Sequence, residues 1–417
     1  MTRKIKCVLS LVLVSAMLFA FASCSYKQAE LYSKNLLEGY TRTETESVTV
    51  SAEFIKALTN FSFELNKRVT EKDGKNVVIS PLSAYICFAM VANGAQGETR
   101  TEMEKTLGMK VEDVNENLYA FVNGLYSSEN CSVKLADSIW FRDDKNVLQV
   151  RKEFLQLMVD WFDADIYSAP FNDATVTDIN NWVKNKTDGL IDKLVEELGA
   201  NDMMVLINAV LFEAKWAEAY SSDNVINNYT FQNYNNTESN VTMLSSTESC
   251  FYAGKNFTGT SKYYDGNKYR LVTLLPNEGV DVYDFLGSLT PETWSEMFKN
   301  FKPICVELVM PEFKCEFEKE LNDVLKDMGT KLAFTDNADF SGMDNTVADM
   351  YVSLIKQKAY ICVDRKGTKA AAATSATMTN KSAAPNEATV VLDRPYVYAI
   401  IDNATKVPIF IGVNVGF

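Results

Sequence analysis

Apolar residues in the first part of the chain recur with a helical period. Phe54, Leu58, Phe61, Leu65 and Val69 fall three or four positions apart, so they line one face of a helix and leave the polar residues between them to water. Two further helices are predicted in "SPLSAYICFAMVANGA" and "GETRTEMEKTLGM". Later the pattern changes. "IWFRDD", "MMVLINAVLFEAKW", "YRLVTLLP", "CVELVMPEFKCEFE", "YVSLIKQKAYICVD" and "YVYAIIDNATKVPIFIGVNVGF" are apolar and rich in β-branched residues, and predict strands. Several are apolar enough to lie at the centre of a sheet. Helices come first and strands predominate later, without regular alternation, which predicts an α+β fold. No internal repeat of fixed period is visible, which disfavours a solenoid. Residues 51–417 read as one continuous domain.

The start of the chain has a different character. Residues 1–23 carry a basic beginning (Arg3, Lys4, Lys6), an apolar run and small residues before Cys24, the layout of a secretory signal. The end "FASC" resembles a bacterial lipobox, which implies that Cys24 is lipidated and becomes the first mature residue, although Phe21 replaces the usual aliphatic residue. Simple cleavage and release is the competing reading. An exported chain is expected, extracellular or at the cell surface, held to a bacterial membrane by the lipid at Cys24 rather than by a transmembrane helix. Residues 24–50 are polar, rich in Thr, Ser and Glu, and suit a short tether.

Composition narrows the chemistry. With 47% hydrophobic and 12% aromatic residues over 417 positions, a large packed core is expected. Net charge is 41 − 55 = −14, without a cluster of Lys and Arg, which disfavours nucleic acid as a partner. The chain contains no histidine. Ser-His-Asp and Cys-His catalysis, His-ligated metals and an imidazole pH switch are thereby excluded, and an enzyme would have to run on carboxylates, Lys or Tyr. No CxxC pair supports a zinc site, so neither metal nor cofactor is expected. Cys87 and Cys362 lie in apolar settings and read as buried thiols; disulfides among the six later cysteines stay open.

Residues 364–398, "DRKGTKAAAATSATMTNKSAAPNEATVVLDRPYVY", are anomalous: a small-residue stretch between two strand-like runs. Taken as an extended strand, residues 368–381 have one face of Thr368, Ala370, Ala372, Thr374, Ala376, Met378 and Asn380, while the other carries Lys369 and Lys381. A small, uncharged face is what a segment needs if it is to slide between two existing strands and become buried. A short helix, a flexible linker and an ordinary buried strand compete with that reading.

"GTKAAAAT", from Gly367 to Thr374, closely resembles the hinge of the serpins, the serine protease inhibitor family. "NVVISPLSAYICFAMVANGAQGETRTEME", "INNWVKNKTDGLI", "LINAVLFEAKW", "MPEFKCEFEKELNDVLKDMGTKLAF", "YVSLIKQKAYICVDRKGT" and "RPYVYAIIDNATKVPIFIG" resemble further segments of the family, in family order. The resemblance covers roughly residues 51–417. It implies a fold of three sheets and about nine helices in a metastable state, with an exposed reactive-centre loop at about 366–390. It implies a monomer that a target protease attacks as substrate. The loop then inserts into the main sheet while the acyl-enzyme persists, trapping the protease covalently. Gly367, Thr368, Ala370, Ala371, Ala372, Ala373 and Thr374 would form the hinge, and Ser80, Ser83, Asn208, Trp216 and Gln357 would belong to the shutter and breach beneath the sheet.

Several positions depart from the family pattern. Arg365 stands where an acidic residue is usual and Glu312 where Lys is usual, which predicts an ion pair with its signs exchanged. Gln357 replaces a common His; an amide donates and accepts but cannot protonate, so this position is expected to add little pH dependence near pH 6. Lys369 replaces Glu on the outward face. Counting from the hinge places the cleaved bond at Lys381–Ser382, suited to a trypsin-like pocket; Met378–Thr379 is the rival, and Ala384 is disfavoured because Pro385 follows it. A non-inhibitory serpin-like binding or scaffold protein is the alternative, and a surface hydrolase has only scattered Asp and Glu to support it.

Overall fold

Ser51 caps the first helix, Ala52–Val69, by accepting a hydrogen bond from the Phe54 amide at 3.1 Å, and the five apolar residues that predicted it are all buried. Helix Pro81–Ala92 is buried along its whole length, as a helix that is apolar on nearly every side must be. It packs on one side against the main sheet and on the other against the strand Pro408–Asn414 of a second sheet. The computed structural model describes residues 28–43, 48–125, 130–143, 148–344, 350–368 and 386–417. Among these are nine α-helices and three sheets.

The main sheet has seven strands: β1 (Lys34–Asn35), β2 (Cys131–Arg142), β3 (Asp165–Ala169), β4 (Met204–Lys215), β5 (Phe313–Glu320), β6 (Val352–Val363) and β7 (Gly367–Thr368). Their spatial order is β1-β3-β2-β4-β7-β6-β5. The second sheet orders Val77–Ile79, Pro408–Asn414, Tyr396–Asp402, Tyr269–Pro276, Phe257–Tyr263 and Phe251–Ala253. The third orders Ala388–Val391, Val306–Pro311, Glu238–Glu248 and Val225–Gln232. The expected strand "CVELVMPEFKCEFE" is in fact two. Val306–Pro311 pairs in the third sheet, Phe313–Glu320 in the main sheet, and Glu312 stands at the crossing.

Two strands of the main sheet have unusual relations. β4 and β6 run parallel and pair from Met204 against Val352 to Leu211 against Tyr360. Beyond that rung they part, and β7 fills the gap: Thr368 pairs with Ala214 on one side and with Val363 on the other. The sheet is therefore open by one short strand at one end and closed along the rest.

Residues 28–43, expected as part of a tether, are docked on the domain. β1 pairs antiparallel with β3, at Lys34 against Ser168 and Asn35 against Tyr167. Ala29 and Asn185 exchange two hydrogen bonds of 2.8 Å. The buried Asp178 carboxylate accepts from the Tyr32 amide at 3.0 Å and from the Ser33 amide and hydroxyl at 2.6 Å each. These partners lie too far away in sequence for local patterning to show them. Asp178→Ala removes the acceptor of all three bonds and should weaken docking by about 1–3 kcal/mol. Limited proteolysis would read this as roughly tenfold faster nicking within residues 28–43 while the domain stays uncut.

Candidate functional site: the hinge and the seam beneath it

The turn from β6 to β7 is built by one side chain. Asp364 Oδ1 accepts from the Lys366 amide at 2.7 Å and the Gly367 amide at 3.1 Å, while the Asp364 amide donates to Gly367 O at 2.9 Å. Gly367 is required for close approach: a Cβ there would collide with the carbonyl oxygen of Ala214 and crowd Lys215 Cα. Trp216 holds the turn from beneath, with its amide donating to Lys366 O at 2.9 Å and its indole Nε1 to Asp364 O at 2.8 Å. The Tyr220 amide donates to Arg365 O at 3.0 Å. Thr368 is fully buried, and its hydroxyl lies 2.7 Å from the hydroxyl of Tyr264, whose ring stacks on Trp216 with centroids 4.4 Å apart.

A buried ion pair supports this wall. Lys262 Nζ lies 3.2 Å from Glu248 Oε1, with side chains only 4% and 10% exposed. The same ammonium sits 4.5 Å from the Tyr220 ring centroid and 5.6 Å from that of Trp216, a cation over two aromatic faces. Burial pushes the Glu248 carboxyl up, against the opposing pull of Lys262. Removing either partner would strand a buried charge.

Farther down the seam, Asp137 on β2, Asn208 on β4 and Gln357 on β6 stand opposite one another on a single rung. Directly opposed residues share a face, and all three are buried with Ser80 and Ser83 at the start of helix Pro81–Ala92. Gln357 Nε2 donates to Asn208 Oδ1 at 2.7 Å and to Ser80 O at 3.0 Å, and Gln357 Oε1 accepts from the Ser80 amide at 3.0 Å. Asn208 Nδ2 donates to Asp137 Oδ1 at 2.6 Å and to Ser83 Oγ. Burial pushes the Asp137 carboxyl up to about 7, against the hydrogen bond from Asn208.

The structure thus brings Ser80, Ser83, Asn208 and Gln357 into one cluster and places Trp216 under the hinge turn. It also brings Arg365 to Glu312, Nε to Oε1 at 3.0 Å, with side chains 48% and 26% exposed. Gly367 and Thr368 form β7. Ala370, Ala371, Ala372, Ala373, Thr374, Lys381, Ser382 and Cys24 lie outside the described residues. The six described cysteines are free thiols; Cys87 is buried as expected, whereas Cys362 is only half-buried because its strand neighbours the exposed edge β5. Asp137, Tyr220, Glu248, Lys262 and Tyr264 were not foreseen. Each draws its importance from a partner in another element, and nothing in its local sequence marks it.

Comparison with known proteins agrees with this geometry. The family model described as "Serpin (serine protease inhibitor)" matches residues 56–415. An uncharacterized serpin-like protein of Thermococcus kodakarensis is 28% identical over 368 residues, covering 86% of this chain and 84% of the relative. The crystal structure of tengpin, a thermophilic serpin, in its native state has a TM-score of 0.88 at 37% identity, covering 92% of this chain and all of the other. Human thyroxine-binding globulin, complexed with its hormone, has a TM-score of 0.79 at 23% identity, over 87% and 98% of the two chains, and shares the fold. The family match spans most of the chain, and the protein belongs to the serpins.

Proposed function

We propose that this protein is a suicide-substrate inhibitor of serine, or cysteine, proteases, acting on trypsin-like targets at Lys381–Ser382 and not itself an enzyme. The observation that carries the reading is Thr368, buried and paired on both sides between β4 and β6. Thr368 stands opposite Ala214, so continued antiparallel pairing puts Ala372 opposite Val210 (368 + 4, 214 − 4) and Thr374 opposite Asn208 (368 + 6, 214 − 6). Met378 would meet Met204, the last residue of the closed seam (368 + 10, 214 − 10). The inward face of the entering strand would be Thr368, Ala370, Ala372, Thr374, Ala376 and Met378, without a charge. The cleaved bond would lie just past the seam's end, where an attached protease would be pressed against the far edge of the domain.

In this reading the Arg365–Glu312 pair fixes the turn from which insertion proceeds, and the signal and the lipid at Cys24 hold the inhibitor outside a bacterial cell membrane. A non-inhibitory binding protein is the second reading. It is favoured by a cavity of about 880 Å³ between helices Ala52–Val69 and Pro291–Lys299, lined by Ile55, Trp294 and Phe298 among others, and by the fold shared with a hormone carrier.

Mixing the chain with trypsin at near-equal molar ratio should give a covalent complex on a denaturing gel and a fragment beginning at Ser382. Cleavage without complex by every serine and cysteine protease tried would sink the inhibitory reading. Ala372→Glu should convert the inhibitor into a plain substrate, cut normally but forming no complex, because the new carboxylate would have to be buried beside Val210. Arg365→Glu should lower the fraction of encounters ending in a complex, and adding Glu312→Lys should restore it. Losing the half-exposed pair costs roughly 0–1 kcal/mol, a factor of up to about five, and the new carboxylate repulsion adds a similar amount; no recovery in the double variant would show that the pair is incidental.

A further inference from the structure

The closed seam is tied across its middle by the bond from Gln357 Nε2 to Asn208 Oδ1. The other end of the Asn208 amide is committed to Asp137 and Ser83. A carboxyl one strand away thus accepts from the same amide whose oxygen ties the seam. We propose that Asp137 is a proton-operated latch on the main sheet, which favours closure of β4 and β6 while it carries its proton and eases their parting once it has lost it.

The surroundings of Asp137 leave it uncompensated. Asn208 faces it from β4, and beyond that amide lies Gln357 on β6. Helix Pro81–Ala92 presents Ser83 and Cys87, while its Tyr85 packs away against Phe54 and Phe61. The Tyr85 hydroxyl donates to Leu107 O, and the Cys87 thiol is pushed well up by burial and by the nearby carboxyl, so it stays neutral through the window of interest. On β2 itself, Lys134 pairs with Asp188, and Arg142 donates to Asp202 O and Gly199 O. On β3, Asp165 stands opposite Ser138 and is taken by Lys186 at 2.6 Å. No lysine or arginine among the described residues pairs with Asp137.

Two effects of opposite sign act on the latch. An ionised carboxyl only accepts, so it holds Asn208 with Nδ2 towards Asp137 and Oδ1 towards the seam, which favours closure. Burying that charge favours opening. Burial is the larger, since the group stands near 7 despite the bond from Asn208. Its value in the closed sheet is thus raised above the ordinary carboxylate range. The stability that it lends the closed form is complete below that range, is lost as pH rises to about 7, and is level above. If opening restores an ordinary value, the open fraction should rise about tenfold between pH 6 and pH 8. The expected indifference of this cluster to pH holds for Gln357 alone; the titrating group sits on the next strand but one.

The use of such a latch rests on the insertion reading, but its chemistry does not, so the test needs no protease. Hydrogen exchange in β4 and β6 of the full chain, normalised to the intrinsic rate at each pH, should show about tenfold more opening at pH 8 than at pH 6. Asp137→Asn, isosteric and without a titrating proton, should reduce that ratio to within about twofold. An undiminished ratio in the variant overturns the proposal, and so does a ratio near one in the wild-type chain, whether or not the variant folds. A latch that behaves as expected in a chain that traps no protease would leave the latch standing and remove inhibition as its purpose.

Discussion

The parallel seam between Met204–Leu211 and Val352–Tyr360 is the constraint around which the molecule is arranged. It closes well enough to complete the sheet, and under the proposed inhibition it would also have to open readily enough to admit another strand. Parallel ladders are slightly weaker per residue than antiparallel ones, and this ladder is flanked by antiparallel pairs on both outer sides, β2 with β4 and β5 with β6. The weak line therefore lies between two stronger ribbons. At its middle stands a polar rung instead of interlocked apolar side chains. Buried polar networks stabilise a single arrangement when complete and lose heavily when half-satisfied, so the seam resists partial opening more than full opening.

The end of the seam at β7 is held differently. Trp216 and Tyr220 grip the backbone of the turn through three amide or indole donors, and Tyr264 reaches Thr368 itself. Lys262, buried over both rings, keeps that wall in place. The turn is thus a fixed point, and any movement of the segment beyond it must pivot there. The exchanged signs of Arg365 and Glu312 fit this arrangement, because the attraction between two charges is the same whichever element carries which. The arginine has the longer arm, and it is also the more exposed of the two.

Much of this was legible in the sequence. Helix Ala52–Val69 follows from the spacing of Phe54, Leu58, Phe61, Leu65 and Val69, and β4 and β6 from long apolar runs. Strands such as Val225–Gln232, half polar and largely exposed, give no such signal. The division of one apolar run between two sheets at Glu312 depends on the curvature of the domain, which local patterning does not encode. The resemblance to serpins located the cluster at Asn208 and Gln357, but "KLADSIWF" gives no hint that its aspartate completes the rung. Residues 28–43 depart from the expected tether for a related reason: a polar composition is compatible with a tether and equally with a segment whose hydrogen bonds end on Asp178.

The second sheet has two of its middle strands, Tyr396–Asp402 and Pro408–Asn414, far downstream in the chain of the strand Val77–Ile79 that they adjoin. A ribosome must therefore reach Asn414 before the fully buried helix Pro81–Ala92, made long before, can be covered on that side. Until then the nascent chain has no finished interior, and the apolar face of that helix is open to association with other chains.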